Sequence, residues 1–147
     1  FLLLIAACAF RYDPVDHWQE ANALFNKGLM LNREGRYEES NRIMEQTLGI
    51  SGDAMILNVK GRNYQAMKRY KEAEQCFRRA IDRRPNRLYP HYLLVRLYRE
   101  KNYFHPRAAR KEAEIVLHKD PKVMSPAVIE MRREVLCPVF LSPQSVY

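Results

Sequence analysis

Apolar and small residues recur along this chain at a fixed step. Leu24, Gly28, Tyr37, Ser40 and Met44 return as Leu57, Gly61, Tyr70, Ala73 and Phe77, every pair separated by the same distance in sequence as Gly28 and Gly61. That period is too long for a heptad and belongs to stacked helical hairpins, whose units run to about 34 residues. The pattern predicts two helices per unit, the first carrying the Leu and Gly positions and the second the aromatic, small and large apolar ones. A glycine inside a helix costs about 1 kcal/mol relative to alanine, so Gly28 and Gly61 need a packing reason. The expectation is that each lets its helix approach a small residue on the second, Ser40 or Ala73. Leu57, Tyr64 and Phe77 would then fill the wedge between helices, and Pro85 would stop the second helix.

The second unit is the clearest. In order it reads Leu57, Lys60-Gly61, Tyr64, Tyr70, Ala73, Phe77, Ala80 and Pro85, which resembles the tetratricopeptide pattern apart from Leu57 in place of Trp and Lys60 in place of Leu. A third unit is degraded: Leu94-Val95 replaces the Leu-Gly pair, Tyr98 holds the aromatic position, and Ala109, Ala113, Val116 and Pro121 echo Ala73, Phe77, Ala80 and Pro85. Its extra length is expected at His105-Pro106, because proline disfavours helix in the residue before it. Ser125-Pro126 then forms an N-cap and first-position pair, with Ala127, Val128, Met131 and Val135 on one side of a capping helix. The fold expected is all-α, a tetratricopeptide-like solenoid of about three hairpins plus a C-terminal capping helix. It spans residues 11–136, followed by a tail over 137–147 expected to be poorly ordered.

Residues 1–10, FLLLIAACAF, form an uncharged apolar run followed by Arg11 and then Asp13-Pro14, the expected start of the first helix. Ten helical residues rise only about 15 Å, half a bilayer core. Two membrane readings stay open: the end of a transmembrane helix that begins upstream, or a lipoprotein signal in which Ile5-Ala6-Ala7 precede a lipidated Cys8. A third reading packs the run on the first hairpin.

Chemistry is sparse. Cys8, Cys76 and Cys137 are widely spaced and show no CxxC, so neither a disulfide framework nor a zinc site is expected; Cys76 reads as a small packing residue. His17, His91, His105 and His118 show no HExxH spacing, and no phosphate-binding glycine loop is present. His91 is read as a repeat position, His105 and His118 as helix-end residues suited to the dipole, and Glu38-Glu39 and Glu112/Glu114 as solvated helix faces. No catalytic residue, cofactor or metal is assigned. The net charge of +8 suits an anionic partner such as an acidic peptide or lipid headgroups. Arg78, Arg79, Arg83, Arg84 and Arg87 are read mainly as an outer solvated face. Nucleic acid is not expected, because no binding motif accompanies these cations.

Stacked hairpins line a concave surface with their first helices. The positions flanking the glycine column are Asn58, Arg62 and Gln65 in the second unit and Tyr92, Arg96 and Arg99 in the third. Arg62 and Arg96 stand one repeat apart, so they are expected to stack in register and form a partner-binding groove for a protein or peptide, which can be acidic.

Pro85-Asn86-Arg87-Leu88-Tyr89-Pro90-His91-Tyr92-Leu93-Leu94, continuing to Tyr98, resembles the C-terminal repeat region of the O-antigen ligase/polymerase family of Bacteroides-type bacteria. The end segment Pro121–Ala127 through Glu130-Met131-Arg132, and Trp18-Gln19-Glu20-Ala21 after the apolar run, are similar to the same family. The resemblance implies an extracytoplasmic tail of an inner-membrane protein of surface polysaccharide assembly, non-enzymatic itself, with the active site upstream. The alternative is a free-standing, lipid-anchored adaptor.

Overall fold

A computed structural model of the chain describes residues 14–121 and 123–136. The apolar run 1–10 with Cys8, and the tail 137–147, lie outside the described residues.

Among the described residues seven helices follow one another: α1 (Pro14–Arg33), α2 (Tyr37–Ser51), α3 (Ala54–Ala66), α4 (Tyr70–Arg83), α5 (Tyr89–Tyr98), α6 (Pro106–His118) and α7 (Pro126–Leu136), with a 3₁₀ turn at Lys101–Tyr103. No strand occurs among the described residues. The helices pair as hairpins α1/α2, α3/α4 and α5/α6, and α7 packs on the last of them.

Local chemistry sets the boundaries. Pro14, Pro106 and Pro126 open their helices, where a missing N–H costs nothing. Asp53 caps α3, its carboxylate accepting from Met55 N at 2.9 Å. The first hairpin turns through Gly35 at φ 77°, and the second turns at the equivalent repeat position through Lys68 at φ 60°. The repeat thus keeps a left-handed turn even where glycine is lost. The link within the third hairpin covers 99–105, against 34–36 and 67–69 in the others. The extra length lies where His105-Pro106 predicts it.

The glycine column is close-packed, but against different neighbours from those expected. A Cβ at Gly61 would stand 2.3 Å from Phe77 Cε1 and one at Gly28 2.6 Å from Met44 Cε, so the large apolar residue of each second helix, not Ala73 or Ser40, occupies the space. The missing side chain is the slot into which a ring or thioether fits. Ser40 meets Gly28 differently, its Oγ donating to the Gly28 carbonyl at 2.8 Å. Around these slots lie two clusters. Met44, Leu48, Ile56, Leu57 and Ala80 join the first two hairpins; Ala73, Phe77, Leu94, Leu97, Tyr98 and Val116 join the second and third, with Tyr64 partly buried against them. Pro85 is exposed just after α4 ends.

Lys60, at the consensus leucine position, keeps its side chain buried and pairs its Nζ with Glu45 on α2. On α7, Val128 and Val135 are buried and Met131 half-buried, whereas Ala127 is exposed, a correction to the expected apolar side. The first helices lie side by side, α1 against α3 and α3 against α5. In stacked hairpins of this kind the first helices line the concave side, so theirs is the inner face.

Candidate functional site

Three rows run across the inner face at the repeat spacing: Phe25, Asn58, Tyr92; Leu29, Arg62, Arg96; and Asn32, Gln65, Arg99. The third row holds the solenoid together. Asn32 Nδ2 donates to Asn63 Oδ1 on α3, Gln65 Nε2 to Glu100 Oε1 at 2.8 Å beyond α5, and Arg99 Nη2 to the Val135 carbonyl on α7 at 3.0 Å. Each ties one inner helix to the next unit, so Gln65 and Arg99 are engaged within the molecule.

The middle row is open. Arg62 and Arg96 are both exposed and neither forms an ion pair among the described residues. Arg96 lies over the Tyr92 ring, 5.8 Å from its centroid, a stacking that holds the guanidinium above the surface. By contrast Arg36 pairs with Glu34 and Glu39, and Arg69 with Glu72.

In the first row Phe25 is half-buried, Tyr92 is buried with its hydroxyl donating to Glu134 on α7, and Asn58 is only 7% exposed. Asn58 Oδ1 has no hydrogen-bond partner among the described residues. Burial and the Glu134 carboxylate both push the Tyr92 phenol up. Tyr92, Val95, Arg96, Arg99, Glu100 and Glu134 enclose a recess of about 220 Å³. Two of its walls, Glu100 and Glu134, escape a reading based on the repeat alone, because one lies after α5 and the other on the capping helix. Their carboxylates balance Arg96 and Arg99, so the recess is mixed in charge and Arg62 carries the positive excess of the strip.

Behind the groove, the second and third hairpins meet at a polar knot. Glu74 accepts from Arg78 Nε at 2.8 Å, Tyr98 Oη at 2.6 Å and Tyr103 Oη at 2.7 Å. Arg78 Nη2 also donates to Tyr98 Oη at 2.7 Å and Nη1 lies 4.0 Å from Glu112. Glu112 is buried, its Oε2 2.7 Å from His91 Nδ1. This corrects the reading of Glu112 as a solvated residue: it faces α5, while Glu114 is exposed and pairs with His118 at 3.2 Å. His105 is corrected too. It stands at the N-terminal end of α6, the wrong end for a cation, and packs edge-on against Tyr103 at 4.6 Å instead.

Burial is the largest single influence on Glu74 and acts upward, but the bonds from Tyr98, Tyr103 and Arg78 together outweigh it and hold the carboxyl below the ordinary range. The Tyr103 phenol is pushed up to about 12 by burial and by Glu74. A depressed carboxyl stabilises the fold above its unfolded pKa and loses that contribution as pH falls through the folded value. Melting temperature should therefore drop as pH falls below about 4.5, the unfolded carboxyl range, and Glu74→Gln should flatten part of that drop. An acid limb of unchanged steepness in thermal melts of Glu74→Gln would refute the assignment.

Cys76 is buried beside Phe77, and burial pushes its thiol up, as suits a packing residue. No cluster of His, Cys, Asp or Glu that could hold a metal occurs among the described residues.

With this geometry in view, residues 19–86 match the tetratricopeptide repeat family. The match ends with the second unit, where the third begins to degrade. No curated protein matches the chain. Among solved structures, the CopN-Scc3 complex superposes with a TM-score of 0.69 at 17% identity, over 86% of this chain and 71% of that one. The Yersinia enterocolitica type III secretion chaperone SycD, in complex with a peptide of the translocator YopD, gives 0.59 at 15% identity over 78% of this chain and 90% of its own. PcrH, in complex with the chaperone binding region of PopB, gives 0.60 at 14% identity over the same shares. At such identities the likeness is one of fold, a tetratricopeptide-like solenoid.

Proposed function

We propose that this chain is a non-catalytic protein-interaction module that takes an extended peptide segment of its partner along the inner face of α1, α3 and α5. The observation that carries this is the register of Arg62 and Arg96, exposed and without carboxylate partners among the described residues, between a half-buried apolar end at Phe25 and Leu29 and the Tyr92 recess. A segment with an acidic residue opposite Arg62 and an apolar residue over Phe25 fits that order. Asn58 is buried with its Oδ1 unpartnered among the described residues, and a side-chain rotation outward would bring its amide to the peptide backbone. The peptide complexes of SycD and PcrH support a peptide as the kind of ligand, because they share the fold.

The finer reading follows the sequence. The apolar run 1–10 tethers the module to a bacterial inner membrane, and the O-antigen ligase/polymerase resemblance makes it an extracytoplasmic tail that positions a surface-polysaccharide machine; a lipid anchor at Cys8 is the alternative. No helix among the described residues is long and apolar enough to cross a membrane, so this reading assigns the tether to that run.

Selection of peptides from a random library on the immobilised chain tests the groove. Selected peptides should carry Asp or Glu near an aliphatic or aromatic residue, and Arg62→Glu with Arg96→Glu should weaken them by about tenfold or more, the loss of one charge-assisted hydrogen bond. Melting and helicity should stay unchanged, and Arg79→Glu on the outer face should have little effect. Equal loss on Arg79→Glu would move the binding surface away from the groove.

A further inference from the structure

The loops that join one hairpin to the next gather on one edge of the solenoid, and hydrogen bonds stitch them together. Arg83 Nη1 donates to the Gly52 carbonyl at 2.5 Å, Lys119 Nζ to the Pro85 carbonyl at 2.5 Å, and Arg132 Nη2 to the Lys119 carbonyl at 2.9 Å. Two recesses open along this edge and share Arg84. One, about 370 Å³, lies among Trp18, Phe25, Met55 and Arg84; the other, about 690 Å³, lies among Arg84, Arg87, Tyr89, Val123 and Met131. Most of the large hydrophobic side chains exposed among the described residues lie along the edge: Trp18 at 67%, Val123 at 72%, and Met55, Tyr89 and Met124.

Its charges differ from those of the opposite edge. There Arg36 and Arg69 are neutralised by Glu34, Glu39 and Glu72. Here Arg84 and Arg87 are exposed and form no ion pair among the described residues. Asp53 and Asp120 are the carboxylates on these loops, and Asp53 is committed to capping α3. The edge also carries the start of α1, which follows the apolar run in sequence, since Trp18 is one turn beyond Pro14.

We infer that this edge is a docking surface for an anionic bilayer, with Trp18, Met55, Val123 and Met124 entering the headgroup region and Arg84 and Arg87 meeting lipid phosphates. Indole and aliphatic side chains interleaved with arginine suit the membrane interface, and cations near an anionic leaflet add an attraction that falls off within a Debye length. An acidic peptide would satisfy the arginines but would have no use for an apolar border spread over three separate stretches of chain. The edge meets the groove only at Phe25, which lines the smaller recess as well as the first row; Arg62, Arg96 and the Tyr92 recess lie away from the edge and stay open when it docks.

Trp18 is the only tryptophan of the chain and reports docking directly. The full chain would be mixed with phosphatidylcholine vesicles, with or without phosphatidylglycerol, each carrying brominated acyl chains. Quenching and blue shift of Trp18 are expected with phosphatidylglycerol and not with phosphatidylcholine alone, whether or not residues 1–10 insert into both. Arg84→Glu with Arg87→Glu should lower the ratio of docked to undocked Trp18 by about 25-fold, about fivefold for each arginine lost, while Arg62→Glu with Arg96→Glu leaves it unchanged. Should the edge variant fold poorly, raising salt to about 0.5 M on the unaltered chain should undock Trp18 in the same way. Trp18 equally quenched on both vesicles, or insensitive to both salt and charge reversal, would overturn the inference. So would a soluble polyglutamate peptide that shifts Trp18 more strongly than phosphatidylglycerol vesicles do, which would assign the edge to an acidic polypeptide.

Discussion

Gly61→Leu should destabilise the fold by about 1–3 kcal/mol or more, although leucine is the better helix former by most of 1 kcal/mol. The added Cβ alone meets the Phe77 ring at 2.3, 2.7 and 2.8 Å. Phe77 is fully buried between two hairpins and a rigid ring has no flexible end to withdraw. Even Gly61→Ala should be destabilising. Gly28→Ala provides the internal control, because its nearest contact is the terminal methyl of Met44 at 2.6 Å, which a rotamer change can move. Chemical denaturation should rank unaltered protein above Gly28→Ala and Gly28→Ala above Gly61→Ala. A stabilised Gly61→Ala would show that the glycine is not there for Phe77.

Glu112→Ala should cost about 3 kcal/mol, combining a buried imidazole left without its partner with the loss of buried methylenes. His91 and Glu112 face each other from α5 and α6, both side chains 8% exposed, so water cannot replace the carboxylate. Substituting both should be milder than substituting one. His91→Leu with Glu112→Leu removes the stranded polar group and restores apolar contact, and buried pairs replaced in this way are often neutral or stabilising. A double-mutant cycle by denaturant unfolding measures the coupling. Additive losses would mean that the two side chains do not support one another.

The hairpins are legible because backbone geometry repeats: Gly28 and Gly61 at the repeat spacing, prolines at helix starts, and Met44 and Phe77 at one constant offset after their glycines leave a periodic trace. Which atom fills the glycine slot is not legible. The pattern names Ser40, Ala73, Met44 and Phe77 alike, and only packing shows that the ring and the thioether reach the glycine while Ser40 bonds its carbonyl. Glu112 is misplaced for a related reason. Close to Glu114 on a helix with many charges it looks solvated, yet the two positions lie more than half a helical turn apart. One therefore meets His91 while the other stays outside. The groove is legible in its rows but not in its walls. Arg62 and Arg96 follow from the repeat, whereas Glu100 and Glu134 lie outside it and offset the cations of the recess. Gln65 and Arg99 belong to a column of ties between units, visible only once Asn32 is aligned with them and its bond to Asn63 is seen.

The claim that the inner face is the working surface is tested most directly by placing a photoreactive amino acid at one position at a time in the full chain, at 62, 96 or 79, and irradiating it in membranes containing its native partners. Cross-links to a common protein from positions 62 and 96, with none from 79, are the predicted result. Cross-links from 79 on α4, with 62 and 96 silent, would contradict it and put the partner on the outer face.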